Sequence, residues 1–125
     1  PQATDADLSD IAAAYTQRGG TFRVLLHHRR IVGSYGLYPL ADGVCELRKM
    51  YPDPEFKGRG LGKMMLDDAL THAIRLGFAT VTLETNRRLK EAIGLYRSYG
   101  FEEFRPDRFS DRCVLAMRIH LTTKP

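Results

Sequence analysis

The residues with the clearest chemical potential form a glycine-rich run in the middle of the chain. The run reads Lys57-Gly58-Arg59-Gly60-Leu61-Gly62-Lys63. It lies after a strand-like segment and opens a segment with helical periodicity, where backbone N–H groups have no partner and the helix dipole favours negative charge. The run therefore predicts a pyrophosphate-binding loop. A glycine-rich turn with exposed basic side chains is the alternative.

Two common phosphate-binding motifs do not fit this spacing. Counted from Gly58, a Walker loop requires glycine at position 63 and lysine at 64, where the chain has Lys63 and Met64. A dinucleotide fingerprint requires a third glycine at 63 or 65, and neither position holds one. The loop is therefore predicted to be neither a P-loop nor a Rossmann turn.

Histidine and cysteine are the other residue types that could do chemistry. His27 and His28 are adjacent in a strand-like run, so they would face opposite ways, and no ligand-spaced cluster accompanies them. Cys45 and Cys113 lack CxxC or Cys/His spacing. We therefore predict structural histidines, no metal site and no disulfide framework, which favours a reducing cytoplasm.

These residues must be positioned by helices and strands, and the sequence patterns predict their order. An amphipathic helix carrying Leu8 and Tyr15 stops at Gly19-Gly20. Strands at residues 22–27, 31–38 and 44–51 follow, then a helix at 61–76, a strand at 79–84, a helix at 89–99 and a strand at 113–119. A strand–helix–strand unit requires a parallel crossover. The prediction is an α/β fold in which an antiparallel meander precedes a βαβαβ half.

Length and composition favour one soluble domain over residues 1–125. The 125 residues are 43% hydrophobic, yet no stretch approaches the roughly 20 apolar residues of a membrane span. The net charge is +4, but Lys and Arg are spread along the chain, and no recognition helix or stacking platform accompanies them. We therefore expect neither a membrane nor a nucleic-acid partner.

Two motifs in register resemble the GNAT family of N-acetyltransferases. The first runs from Glu46 to Gly62 and includes a loop similar to the family's (Arg/Gln)-x-x-Gly-x-(Gly/Ala) pattern. The second, Leu95-Tyr96-Arg97-Ser98-Tyr99-Gly100-Phe101, is similar to Leu-Tyr-x-x-x-Gly-Phe. The likeness implies the GNAT acyl-CoA N-acyltransferase fold, although the usual N-terminal strand is missing or only partly present. It also implies a sheet splayed open between the strands that end at Tyr51 and Glu84.

The same resemblance implies a binding site for acetyl-CoA. Pantetheine would lie in the split like a substitute strand, flanked by backbone groups of Met50, Tyr51 and Pro52. The amides from Gly58 to Lys63 would hold the pyrophosphate. Asn86 is a candidate cofactor contact, because Leu89 occupies the position where many members have asparagine. Two further departures are Lys57, in place of Arg or Gln, and Pro52, which lacks an N–H that often serves the cofactor.

For catalysis, the resemblance implies acetyl transfer to a primary amine of a small molecule or protein. Tyr96 occupies the position of the general acid; a buried aromatic is the alternative reading. Glu46 and Glu84 are the candidate bases, and either could instead pair with Arg48 or Arg87. A non-catalytic CoA-binding sensor is the alternative function, and a homodimer is an open expectation.

Overall fold

The computed structural model describes residues 13–56, 60–106 and 114–121. Its strands are β1 (Thr21–His27), β2 (Arg30–Ala41), β3 (Val44–Pro52), β4 (Thr80–Asn86), β5 (Glu102–Phe104) and β6 (Val114–His120). Its helices are α1 (Leu61–Arg75) and α2 (Lys90–Ser98), with a 3-10 helix at Pro54–Phe56 and a helical turn over residues 13–16. This order agrees with the predicted meander followed by strand–helix units.

The strands form one mixed sheet in the order β1-β2-β3-β4-β6-β5. The first three pair antiparallel, whereas β3 and β4 pair parallel and are joined through α1. β6 runs antiparallel to β4, and β5 pairs antiparallel with β6 at the edge. The α/β fold class with a mixed sheet, predicted from the sequence, is therefore confirmed.

Two features of the sheet differ from the predicted elements. The edge strand β5 is three residues long and is absent from the prediction, because Glu-Glu-Phe carries neither alternation nor β-branched residues. β2 is longer than predicted and runs through Pro39, beyond the last position at which β1 pairs with it. Most of the predicted first helix, and Cys113 in the predicted last strand, lie outside the described residues.

The main core lies between the sheet and the two helices, which pack on the same face. Its buried members are Tyr35, Leu37, Cys45, Leu47, Leu66, Ala69, Ala73, Phe78, Val81, Leu83, Tyr96, Phe101, Leu115 and Met117. On the other face, Tyr15 covers β2, since a Cβ added at Gly36 would lie 2.6 Å from its ring. The helices therefore leave one face of the split strands to other elements.

Both helices end in the same way. After α1, Gly77 has a φ of 92° and the Phe78 amide donates to the Ala73 carbonyl at 3.0 Å. After α2, Gly100 has a φ of 104° and the Phe101 amide donates to Tyr96 at 3.1 Å. Only glycine adopts such angles freely, and both phenylalanines are buried. The Gly-Phe pairs thus fix where each helix stops against the sheet.

A polar network fastens α1 to the meander. Asp68 accepts hydrogen bonds from the Tyr35 hydroxyl at 2.6 Å and from Arg23 Nε at 2.9 Å. Burial would raise the pKa of the Asp68 carboxyl, but these hydrogen bonds and the Arg23 charge outweigh it and lower the pKa. Tyr99 joins α2 to α1 by donating to Asp67 at 2.6 Å. The helices are therefore tied to the sheet and to each other.

Candidate functional site

The sheet opens between β3 and β4. Their parallel pairing runs from Val44 with Thr80 to Leu47 with Leu83, whereas the strands themselves continue to Pro52 and Asn86. A cleft of about 1100 Å³ follows the opening and reaches the start of both helices. It is lined by Glu46, Leu47, Arg48, Lys49, Met50, Tyr51, Pro52, Asp53, Pro54, Phe56, Gly60, Leu61, Gly62, Lys63, Leu83, Glu84, Thr85, Leu89, Glu91, Ala92, Leu95 and Tyr96. The predicted split is therefore present.

A bulge in β3 shapes one wall of the cleft. The pairing with β2 shifts between Ser34 and Gly36, and Lys49 opposite this shift has a φ of 54°. A bulge bends its strand and strengthens the local twist, which turns the end of β3 away from β4. Met50 is half-buried beneath the bulge and the Tyr51 side chain is 67% exposed. Main-chain groups of the predicted segment from Met50 to Pro52 thus lie along the cleft.

The start of α1 forms the second wall. Its first intrahelical bond runs from the Met64 amide to the Gly60 carbonyl at 3.0 Å, so the amides of Leu61, Gly62 and Lys63 have no acceptor within the helix. Within the part of the chain that the structure describes, no side chain caps this end, and all three residues line the cleft. Together with the helix dipole, these amides can bind an anion.

Only part of the predicted loop can be located. Gly60 has a φ of 77°, which glycine adopts without strain, and a Cβ added there would meet nothing within 4 Å. Lys63 is exposed beside the unpaired amides. Lys57, Gly58 and Arg59 lie outside the described residues. The cationic roles predicted for the side chains of Lys57 and Arg59 remain predictions.

Tyr96 lies at the inner end of the cleft on α2. Its side chain is 9% exposed and contacts the core, yet its hydroxyl forms no hydrogen bond with any residue the structure describes. Burial raises the pKa of the phenol above its ordinary value, so the proton is retained at neutral pH. A protonated, unpaired donor beside a cleft can supply a proton to a bound group.

The two candidate carboxylates differ in their surroundings. Glu46 pairs with Arg48 Nε, and the Arg48 guanidinium lies 4.1 Å from the Tyr38 ring centroid. Glu84 lines the cleft and forms no ion pair or hydrogen bond within the described residues. Both follow or precede core residues of their strands, so both lie on the face away from the helices. Of the two, only Glu84 has a carboxylate without a partner among the described residues.

Asn86 does not line the cleft. Its carboxamide oxygen accepts a hydrogen bond from the Arg88 amide at 2.8 Å and closes the turn before α2. Leu89, next to that turn, lines the cleft with its side chain 54% exposed. The cofactor contact predicted for Asn86 remains a prediction that this geometry does not favour. Arg87 pairs with Glu103 and not with Glu84.

Sequence patterns missed the apolar lining of the cleft. Leu47 and Leu83, which end the parallel pairing, and Phe56, which follows β3, all face it. In the sequence these residues have the pattern of ordinary core residues. They line the cleft because they lie where β3 and β4 separate, and the sequence does not show that position. Ala92 and Leu95 lie on or beside the predicted helical stripe, which signalled burial but not a ligand-binding surface.

The described residues contain neither a metal-binding cluster nor a membrane-spanning helix. Among residues 13–56, 60–106 and 114–121, no three His, Cys, Asp or Glu side chains are grouped so that they could hold a metal ion. His27 and His28 contact each other, with ring centroids 4.2 Å apart. Neither of the described helices is long and apolar enough to cross a membrane.

Several known proteins are similar to this chain. Uncharacterized N-acetyltransferase YjgM of Escherichia coli is 39% identical over 101 residues, which are 78% of this chain and 60% of that protein. An acetyltransferase of Streptococcus agalactiae superimposes with a TM-score of 0.82 at 25% identity, covering 93% of this chain and 76% of that one. A GNAT acetyltransferase of Elizabethkingia anophelis with acetyl-CoA bound has a TM-score of 0.74 at 19% identity, covering 92% and 82%, and shares the fold.

The family assignment rests on the match to a family model. The model of the acetyltransferase (GNAT) family matches residues 2–101, which is most of the chain. The chain spans about half to three fifths of the length of the first curated relatives it matches. The split between β3 and β4, the open start of α1 and the buried Tyr96 lie within the matched residues. This chain belongs to the GNAT family of acetyltransferases.

Proposed function

We propose that the protein transfers the acetyl group of acetyl-CoA directly to a primary amine. The observation that carries this proposal is the split between β3 and β4, which leads from the free amides of α1 to the hydroxyl of Tyr96. The cleft is lined largely by apolar surface and reaches a helix start that can bind an anion, which suits an acyl thioester on a long pyrophosphate-bearing arm. The acetyl-CoA bound to the Elizabethkingia anophelis relative supports the same ligand.

In this proposal the donor is held mainly by the main chain. The backbone from Met50 to Pro52 flanks the arm as a neighbouring strand would, and the amides of Leu61, Gly62 and Lys63 bind phosphate oxygens. Lys57, Gly58 and Arg59 complete the loop in sequence. Leu47, Leu83 and Leu95 exclude water from the thioester, which strengthens electrostatic effects there.

The acid and the base approach the split from opposite faces. Tyr96 belongs to the core on the helix face, whereas Glu84 lies on the face away from the helices. The acceptor amine therefore arrives from the Glu84 side, where the carboxylate takes its proton directly or through water. Acetyl-CoA supplies an activated acyl group whose departing thiolate receives the Tyr96 proton. The amide of Met50 or Tyr51 is placed to polarise the thioester carbonyl.

Glu46 has a supporting role in this scheme. Its pairing with Arg48, which in turn stacks on Tyr38, holds one carboxylate oxygen away from the acceptor. The group therefore shapes the acceptor side and leaves proton removal to Glu84.

The acceptor is a small amine or an amine of a protein. The buried, unpaired thiol of Cys45 suits a reducing cytoplasm, and we extend the proposal to that location and to a homodimer.

Three variants test the proposed function. Tyr96→Phe should bind CoA as the wild type does in calorimetry, yet lose at least about 100-fold in thiol release with an accepted amine. Glu84→Gln should lose more turnover than Glu46→Gln at neutral pH. Full turnover by Tyr96→Phe would exclude it as the acid, and equal activity of both Gln variants and wild type would exclude the assigned base.

A sensor without catalytic activity is the competing outcome. Such a protein would bind CoA and acetyl-CoA but release no thiol with any amine in a panel, in wild type and variants alike. Failure of the wild type to bind CoA at millimolar concentration would contradict both readings. Binding with thiol release in the wild type supports the transferase.

A further inference from the structure

The tip of the β1–β2 hairpin lies against the turn that follows β3. His27 pairs with Arg30, so the connection is a two-residue loop of His28 and Arg29, with φ of 51° and 67°. Such loops normally contain Asn or Gly, because other residues are strained at positive φ. The residues that flank this loop, His27 and Arg30, both contact the turn after β3.

Arg30 provides the polar part of these contacts. One terminal nitrogen of its guanidinium lies 2.7 Å from Asp53 Oδ2 and the other lies 2.9 Å from Glu55 Oε1. The other Asp53 oxygen accepts the Glu55 amide at 2.9 Å, and the Asp53 amide donates to Val32 at 2.7 Å. A single planar side chain therefore bridges both carboxylates of the turn.

Phe56 provides the apolar part. Its ring centroid lies 5.3 Å from that of His27 and 5.9 Å from the Arg30 guanidinium carbon. On its other side Phe56 packs with a small cluster of buried residues, namely Val32, Leu61 and Met65. Leu61 is the first residue of α1. The residues before and after the glycine loop, Phe56 and Leu61, thus belong to one cluster, which the hairpin tip covers.

This arrangement links the hairpin tip to the start of α1. Residues 57–60 must connect Phe56 to Leu61, and the position of Phe56 depends on His27 and Arg30. The phosphate-binding amides of α1 start at the far end of the same span. A shift of the turn would therefore move the start of α1 without altering β3 and β4.

Charge gives Arg30 a second influence on the same loop. Asp53 and Glu55 are two carboxylates within a few residues of a predicted anion site, and both would repel a phosphate. Arg30 pairs with both and offsets their charge. Without Arg30, the turn after β3 would lose two ion pairs, and two uncompensated carboxylates would remain near the predicted anion site.

We propose that Arg30 is a positioning residue of the donor site, which sets the affinity for the phosphate-bearing part of CoA without touching it. The inference rests on the proposed function. Arg30 is half exposed and lies on a hairpin that does not line the cleft, so it takes no part in acid or base chemistry. Its removal should weaken binding of the pyrophosphate while leaving the acyl-transfer step intact.

The test compares Arg30→Gln with the matched variant Arg29→Gln, which removes a charge from the same turn but no described contact. Calorimetric titration with CoA should show a Kd about fivefold higher for Arg30→Gln, since two exposed ion pairs are lost, and no change for Arg29→Gln. Arg30→Lys keeps the charge without the fork and should recover part of the loss. Circular dichroism checks that each variant is folded.

Kinetics with two donors separates positioning from general damage. For acetyl-CoA, Arg30→Gln should raise KM about fivefold at unchanged kcat. For acetyl-pantetheine, which has no phosphates, kcat/KM should equal that of the wild type. Equal losses with both donors, or an unchanged Kd for CoA, would overturn the proposal. A wild type that binds CoA but releases no thiol would contradict the transferase function alone, because the calorimetric comparison would still decide the role of Arg30.

Discussion

Replacement of Gly62 by aspartate should lower affinity for CoA, whereas replacement by alanine, which the family pattern also allows at this position, should raise stability alone. Gly62 is in the first turn of α1, where a Cβ would lie 3.4 Å from Leu95 Cδ2, a contact that a small rotation of the leucine can accommodate. Alanine is favoured over glycine in helices by up to about 1 kcal/mol, so Tm should rise by about 2–4 °C. The alanine methyl group would point toward Leu95 and leave the amides of the first turn open to a phosphate. An aspartate carboxylate at the same position would instead carry a negative charge beside those amides and repel the phosphate.

The affinity loss can be sized from one hydrogen bond. A bond from an amide to a charged oxygen contributes about 1.5–3 kcal/mol, which corresponds to a Kd for CoA about 10-fold to 100-fold higher. Gly94→Ala is the matched control, because Gly94 is inside α2 and a Cβ there meets nothing within 4 Å. It should raise Tm and leave Kd unchanged. Wild-type affinity in Gly62→Asp would refute phosphate binding at the α1 amides.

Three further variants test the framework. Asp68→Asn should lower the free energy of unfolding by about 2 kcal/mol at pH 7. Because the pKa of Asp68 is lower in the folded state, this difference from the wild type should disappear as the pH falls below 3.8. A difference that does not change with pH would contradict the role given to the Asp68 carboxylate. Gly36→Ala should destabilise by about 1–3 kcal/mol, because its methyl group meets Tyr15; an unchanged Tm would show that the contact yields. His28→Asn with Arg29→Gly should raise Tm by relieving positive φ, and a lower Tm would mean that other contacts dominate.

The elements with a strong period could be predicted from the sequence. The apolar stripe of α1, with Gly77 at its end, and the strand-like run before Pro54 fixed those boundaries to within a few residues. β5 could not be found, because its three residues owe their strand conformation to pairing with β6 and have no pattern of their own. Propensity describes a segment alone, whereas an edge strand depends on its neighbour.

Candidate residues could be named from the sequence where the residue type itself indicates a chemical role. Residues that matter through their position in the fold could not be named in this way. Tyr96, Glu84 and Glu46 could be named from the resemblance. Only the structure shows that Glu46 pairs with Arg48, whereas Glu84 has no partner among the described residues. Arg30 had no signal at all, since its partner Asp53 is far along the chain and meets it only through the hairpin. Contacts of this kind depend on sheet register, which a single sequence does not specify at residue level.

The departures from the family pattern are consistent with a donor site built from the main chain. Leu89 stands where many members have asparagine, yet the open amides of α1 depend on the helix start and not on that side chain. Pro52 removes one N–H at the rim of the split, but the bulge at Lys49 has already turned the preceding backbone toward the cleft. Main-chain sites tolerate changes of side chain and are sensitive to changes of position. Affinity for CoA should therefore depend more on Arg30, which holds the turn before the glycine loop, than on Leu89.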